Sequence, residues 1–218
     1  MGQTKLRRSA LGLVALLMAG LLAWPSVGLA QLGGLLPPTN STTTGVTGDA
    51  TAVRATLFGG LGLLTTTTSL SDTGTLAGND VAREASQATG SVPSLLTADV
   101  LHATTIAWPD QVASEASLAN LNLIVAGISI SADSVLARAS QVSGAAGAGS
   151  STISNLSING TPIAVTGDPN QTVSIPGGQV VINEQTISST GTAVVNAVHA
   201  TVAGVADVVI ASATAGIA

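Results

Sequence analysis

His102 and His199 are the only two histidines of this 218-residue chain, which has no cysteine. A shared zinc would need both rings to converge, with an Asp or Glu completing the shell. Their settings are alike, Leu101-His102-Ala103-Thr104 against Val198-His199-Ala200-Thr201, which makes neighbouring strands conceivable. The simpler reading is two strand histidines that face solvent or donate to nearby carbonyls. Glu184 is the acid most worth following, because Asn183-Glu184-Gln185 is a polar cluster just after an apolar run. Asp99, Asp133 and Asp207 are the other acids considered for a paired-carboxylate site. A glycosidase needs two carboxyl groups flanking a cleft, yet Trp108 alone offers little surface for stacking a sugar ring.

Other catalytic patterns are incomplete. Gly127-Ile128-Ser129-Ile130-Ser131 has the first glycine of a nucleophile elbow and a serine where the second belongs. Thiol catalysis is excluded by the absence of cysteine. Gly60-Leu61-Gly62 lacks the third glycine and the helix of a dinucleotide loop, and reads as a turn. No Asp-x-Asp-x-Asp calcium loop occurs. The sequons at Asn40, Asn155, Asn159 and Asn170 matter only in a glycosylating host. No residue is therefore assigned a catalytic, cofactor-binding or metal-ligating role, and no cofactor is expected.

The elements that would position these residues read as strands. Leu121, Leu123 and Val125 alternate with smaller or polar residues, and Ile128 and Ile130 resume beyond Gly127, where the one-residue shift suggests a bulge. Ile153, Leu156 and Ile158 lead into Asn159-Gly160, a strong short hairpin signal, with Ile163 and Val165 beyond it. Gly167-Asp168-Pro169-Asn170 turns the chain again. Val173 and Ile175, then Pro176-Gly177-Gly178, then Val180, Val181 and Ile182 spell a second hairpin. The C-terminal stretch is rich in Val and Ile. Asp80–Ala88 is the one candidate helix, capped by Asn79 and weakened by a same-sign Asp80/Glu84 pair. The small-residue loop Gly144–Ser150 is a candidate divider between two sheet-forming halves.

A weak echo links Ala98-Asp99-Val100-Leu101-His102-Ala103 with Ala132-Asp133-Ser134-Val135-Leu136-Ala137. Uneven spacing argues against a solenoid and for corresponding strands in two packed sheets. The expected fold is all-β, an antiparallel β-sandwich or jelly-roll-like arrangement with at most one short helix. With only Phe58 and Trp108 aromatic beyond residue 30, its core must be built from Val, Ile, Leu and Ala.

The N-terminus reads as an export signal. Lys5, Arg7 and Arg8 precede the uncharged apolar run Ala10–Trp24, Pro25-Ser26 breaks it, and Gly28-Leu29-Ala30 supplies small residues for cleavage. That run is shorter than the roughly 20 residues of a membrane-spanning helix. Residues 1–30 are read as a signal peptide, 31–48 as a flexible linker and 49–218 as one domain. Cleavage removes three of the six basic residues and none of the eleven acidic ones, which leaves a net charge of −8. Such a surface is poorly suited to nucleic-acid phosphates or an anionic membrane.

Several segments in order resemble the choice-of-anchor P family of bacterial exported proteins. They are Ala119-Asn120-Leu121-Asn122-Leu123 with Ser131-Ala132-Asp133-Ser134-Val135, Asn155-Leu156-Ser157-Ile158-Asn159-Gly160, Val181-Ile182-Asn183-Glu184-Gln185, and the closing Val195–His199 and Asp207–Ala213 stretches. The resemblance spans roughly residues 50–218 and implies an extracellular domain without an assigned activity. The chain departs from anchored members in ending at Ala218 without an LPXTG-type signal, a terminal hydrophobic helix or a basic tail, so release is expected over wall attachment. The expectation is a secreted, non-catalytic domain of a bacterial cell surface or matrix, with surface proteins or glycans as partners. The alternative is a secreted hydrolase or carbohydrate-binding accessory module, which requires a pocket uniting Trp108 with at least two of Asp99, Glu184 and His199.

Overall fold

The computed structural model describes residues 45–59, 64–76, 78–79 and 81–217. The signal peptide and most of the linker read from the sequence lie outside them. In chain order the strands are β1 (Val46–Phe58), β2 (Thr65–Asp72), β3 (Val81–Val92), β4 (Leu96–Ala107), β5 (Gln111–Val125), β6 (Ile128–Val142), β7 (Ala148–Ser154), β8 (Ser157–Ile158), β9 (Thr161–Pro162), β10 (Gln171–Ile175), β11 (Gly178–Ile187), β12 (Ala193–Val202) and β13 (Ala206–Ile217). Sheet I runs β10-β11-β12-β13-β1-β2, and sheet II runs β3-β4-β5-β6-β8-β9 with β7 also paired to β6. All pairings are antiparallel. The two sheets pack face to face as a β-sandwich, chain neighbours mostly adjacent and the first and last strands side by side.

Local turn chemistry accounts for the hairpins that the sequence announces. Asn159 and Gly160 take φ of 50° and 73° between β8 and β9, the left-handed pair that a tight hairpin demands. Pro176-Gly177 turns β10 into β11, with Gly177 at φ 75°.

Three expectations are corrected. Residues 81–88 form part of strand β3, and no described residue is helical; Asp80 lies outside the described residues. The apolar residues of this segment are Val81 and three alanines, little for a helix to bury, whereas β4 offers it a ladder from Val81↔Ala107 to Val92↔Leu96. Gly127 is no bulge. Ala126 and Gly127, φ 48° and 79°, are the turn between β5 and β6. Gly144–Ser150 divides nothing, because it joins β6 to β7 within one sheet.

The real break in alternation is a crease that crosses both sheets. In five of the six strands of sheet I two successive residues face inward: Leu70/Ser71, Ala52/Val53, Ile210/Ala211, Ala197/Val198 and Ile182/Asn183. Registers such as Val53↔Ile210 and Ile182↔Val198 put these pairs in line. Every second strand makes the switch with a left-handed residue, Ser71 (47°), Ala211 (52°) and Asn183 (53°). In sheet II the doubled residues face outward instead: Asp99/Val100, Ala119/Asn120 and Asp133/Ser134. Since inward for one sheet is outward for the other, both sheets bend the same way.

The echo is corrected too, for its two copies lie in one sheet and not in two packed ones, and the crease explains it. Asp99 and Asp133 occupy equivalent crease positions on β4 and β6, both in sheet II with β5 between them, and each accepts a hydrogen bond from an asparagine of the next strand segment. Asn120 Nδ2 reaches Asp99 Oδ2 at 3.0 Å and Asn155 Nδ2 reaches Asp133 Oδ2 at 2.6 Å. The second echo, around His102 and His199, does fall on two packed sheets.

The buried core is Val, Ile, Leu and Ala without an aromatic side chain. Alanine and glycine let the sheets approach closely at one end. There Ser114 Oγ of sheet II donates to the Thr214 carbonyl of sheet I at 2.6 Å and shares a 2.7 Å bond with Thr105 Oγ1. A methyl group on Gly48 would lie 2.5 Å from that Thr105 oxygen. Val46 to Gly48, read with the linker, thus belong to β1 and its packing.

Candidate functional site

The crease brings polar side chains together on the outer face of sheet I. On a regular strand, successive outward residues are two apart; here Asn196 and His199 are consecutive outward positions of β12, as are Thr51 and Arg54 of β1. Register then aligns Glu184 with Asn196, Asn196 with Ser212, and Ser212 with Thr51. The next row is Val181, His199, Val209 and Arg54.

His199 is the centre of this cluster. It sits between Val181 and Val209, both under 10% exposed, and keeps 20% of its own side-chain surface. Nδ1 lies 2.8 Å from Glu184 Oε2 across the crease, and Nε2 lies 3.1 Å from Asp207 Oδ1 on the other flank. Asn196 Nδ2 also donates to Glu184 Oε2, at 2.6 Å. Each ring nitrogen thus faces a carboxylate oxygen, and these contacts tie β11, β12 and β13 together.

This arrangement limits the chemistry. A general base needs a ring nitrogen with a free lone pair near the proton it removes, and here both nitrogens face carboxylate oxygens. The carboxylates sit on opposite sides of the ring, so they do not converge on a metal position. Among the described residues no group of three or more His, Asp or Glu side chains is placed to hold a metal ion.

A second charged group flanks the crease on β1. Arg54 donates to Thr51 Oγ1 at 3.2 Å and lies 3.7 Å from Asp49 Oδ1. Burial pushes the Asp49 carboxyl above its ordinary range; Asp72 adds to this, while Arg54 and the Thr51 hydroxyl oppose it. A raised folded value means that the native state holds this proton where the unfolded chain has lost it. Asp49 therefore favours folding at low pH, and that benefit is lost as pH rises through its folded value. Replacing Asp49 by asparagine is expected to stabilise the domain at pH 7 relative to pH 3, by less than about 1 kcal/mol because Arg54 loses its partner. Urea melts of both proteins at the two pH values check the sign.

The structure separates the remaining candidates. His102 points outward from β4 in sheet II, 3.6 Å from Glu84, so the two histidines lie on opposite faces of the sandwich and share no metal. Trp108 follows β4 and is 42% exposed, and Asp99 belongs to sheet II. Among the described residues they lie apart from Glu184 and His199, which belong to sheet I. Asn196 was not singled out by sequence; its contact with Glu184 depends on the crease and on cross-strand register, which leave no local signature.

A separate shallow groove of about 440 Å³ runs over the outer face of sheet II. Thr104, Ile106, Ala113 and Ser140 line it, and the ion pair of Arg138 with Glu115 closes one side. It exists because small residues stand in successive strands between larger ones.

No known protein family matches this chain, and neither a curated protein nor a solved structure does.

Proposed function

We propose that the chain is a non-catalytic extracellular domain of a bacterial cell surface or matrix, acting through contacts with proteins or glycans. The observation that carries this reading is His199, whose two nitrogens are both committed to carboxylates in the described residues' most elaborate cluster of titratable groups. The cluster reads as a strap across three strands rather than as a reaction centre. The separation of Trp108 and Asp99 from Glu184 and His199 weighs against the hydrolase alternative. The export-like N-terminus and the ordered resemblance to the choice-of-anchor P family support the compartment.

The groove on sheet II is the contact site of this reading. Its threonine and serine hydroxyls, with Arg138 and Glu115 at one wall, suit a polyhydroxylated or peptide ligand, and Ile106 and Ala113 give it an apolar floor. The test is to screen the purified protein against a glycan array and isolated cell envelopes, alongside hydrolase substrates. Binding that falls at least tenfold in Arg138→Ala, without turnover, is the expected result. Turnover that disappears in both Glu184→Gln and His199→Gln would overturn the reading.

A further inference from the structure

We propose that two copies of this chain pair through the free edge of β2, continuing sheet I across a two-fold axis at Thr67. This names one partner for the contact reading above and rests on it. Among the described residues no strand pairs with the outer side of β2. From Thr65 to Leu70 the edge has no charge and no proline; the left-handed Ser71 and the charged Asp72 end it. Such edges are usually blunted by charges, prolines, bulges or shortness. Among the other edges, β7 is also uncharged but carries no exposed large apolar side chain, and the rest are blunted. β3 carries Arg83 and Glu84, with Arg83 turned inward towards the Thr73 carbonyl; β10 has five residues and β9 two.

The hydrogen-bond phase of β2 is fixed by its hairpin with β1. Gly59 N donates to Leu64 O, so residues 59 and 64 form a hydrogen-bonded pair. Such pairs recur at every second residue along an antiparallel ladder. Thr66, Thr68 and Leu70 thus turn their backbone groups to β1, while Thr65, Thr67 and Ser69 present theirs to the free side. A second β2 can meet them only with odd residues opposite odd residues.

Of the registers that satisfy this rule, the one centred on Thr67 also covers apolar surface. It places Thr65 opposite Ser69, Thr66 opposite Thr68, and Leu64 opposite Leu70. Leu64 is 76% exposed, the most exposed large apolar side chain described, and Leu70 is partly buried against the core. Opposed threonines are favourable cross-strand neighbours, as the 3.0 Å bond between Thr56 and Thr67 already shows within the chain. In a chain of net charge −5, this uncharged strip lets two copies meet without opposing like charges. A seven-residue strand pair is a small interface, so a dissociation constant on the order of 10 µM is expected.

The absence of native cysteine makes the register directly testable. Hydrogen-bonded partners lie about 5.5 Å apart at Cα, inside the disulfide range. In Thr67→Cys the two-fold axis sets the new thiol against its own copy. Copper–phenanthroline under air oxidises the two thiols to one disulfide, the two electrons and two protons passing to oxygen. Covalent dimer is expected at least tenfold faster from T67C than from Thr65→Cys, and mixing T65C with Ser69→Cys should restore it. Sedimentation of the native chain as its host produces it should show a concentration-dependent dimer. Thr67→Pro, which removes a free-side N–H and the hydroxyl bonded to Thr56, should sediment as a monomer that circular dichroism shows to be folded. A native chain monomeric at 100 µM, or T67C cross-linking no faster than T65C, overturns the proposal. Envelope or glycan binding that persists in the T67P monomer separates failure of the dimer from failure of the contact reading.

Discussion

Replacing Gly178 by alanine is expected to cost the domain roughly 3 kcal/mol, a fall of about 10 °C in melting temperature for a chain of this size. Gly178 opens β11 opposite Val202. A Cβ there would stand 1.8 Å from the Thr201 carbonyl oxygen, 2.8 Å from its carbon and 3.0 Å from the Val202 Cα. All three obstacles are backbone, so no rotamer change relieves them and the β11–β12 ladder itself must move. The neighbouring Gly177→Ala separates this clash from ordinary glycine conformational freedom. At Gly177 the nearest obstacle is a Val202 methyl at 3.6 Å, and the cost is the left-handed φ of 75° alone, about 1–2 kcal/mol. Thermal melts should rank native above G177A and G177A above G178A; equal losses would refute the clash.

Gln141→Leu is the second large effect, about 2–4 kcal/mol from three backbone groups losing their partner. Gln141 is 3% exposed at the end of β6. Its Oε1 accepts from Ile217 N at 2.8 Å, and its Nε2 donates to Ala145 O at 2.9 Å and to Thr190 O at 3.4 Å. One side chain thus serves the β6–β7 turn, the β11–β12 turn and the last strand. Leucine matches its size and supplies none of these bonds. Hydrogen exchange in Q141L should therefore rise first at Ile217 and around residues 145 and 190. Faster exchange spread evenly over the domain would point to global loosening instead.

The fold was legible where the determinant is local. Asn159-Gly160 and Pro176-Gly177 set their hairpins through residues that tolerate the required φ, and the aromatic-free core follows directly from composition. The bulge placed at Gly127 failed because a turn and a bulge both shift the alternation by one residue. The shift that changes face without ending the strand is at Asn120, seven residues earlier, where an asparagine among leucines reads simply as an outward residue. The helix at 80–88 failed for a related reason. An edge strand exposed on both sides needs no alternation, so only pairing with β4 identifies it.

The site was half legible. His199, Glu184 and Asp207 were each noticed as residue types, but their convergence depends on three strands in register and on the crease. The matched settings of His102 and His199 recorded a shared strand pattern, not proximity. A sequence pattern tells which way a side chain points relative to its own sheet, and these two sheets face opposite ways.

The crease has a consequence for how such a chain can vary. Five strands of sheet I, β1, β2, β11, β12 and β13, each hold one extra inward residue at the same level. Deleting Ala197 alone, with β11 and β13 keeping their crease, would slip half of β12 by one rung and turn either Val195 and Ala193, or Ala200 and Val202, from the core to solvent. The change can be absorbed only if β11 and β13 shift their own faces at the same level. The bend therefore acts like a reading frame shared by five strands: insertions and deletions are free in the hairpin turns, while within the sheet the strands must keep step.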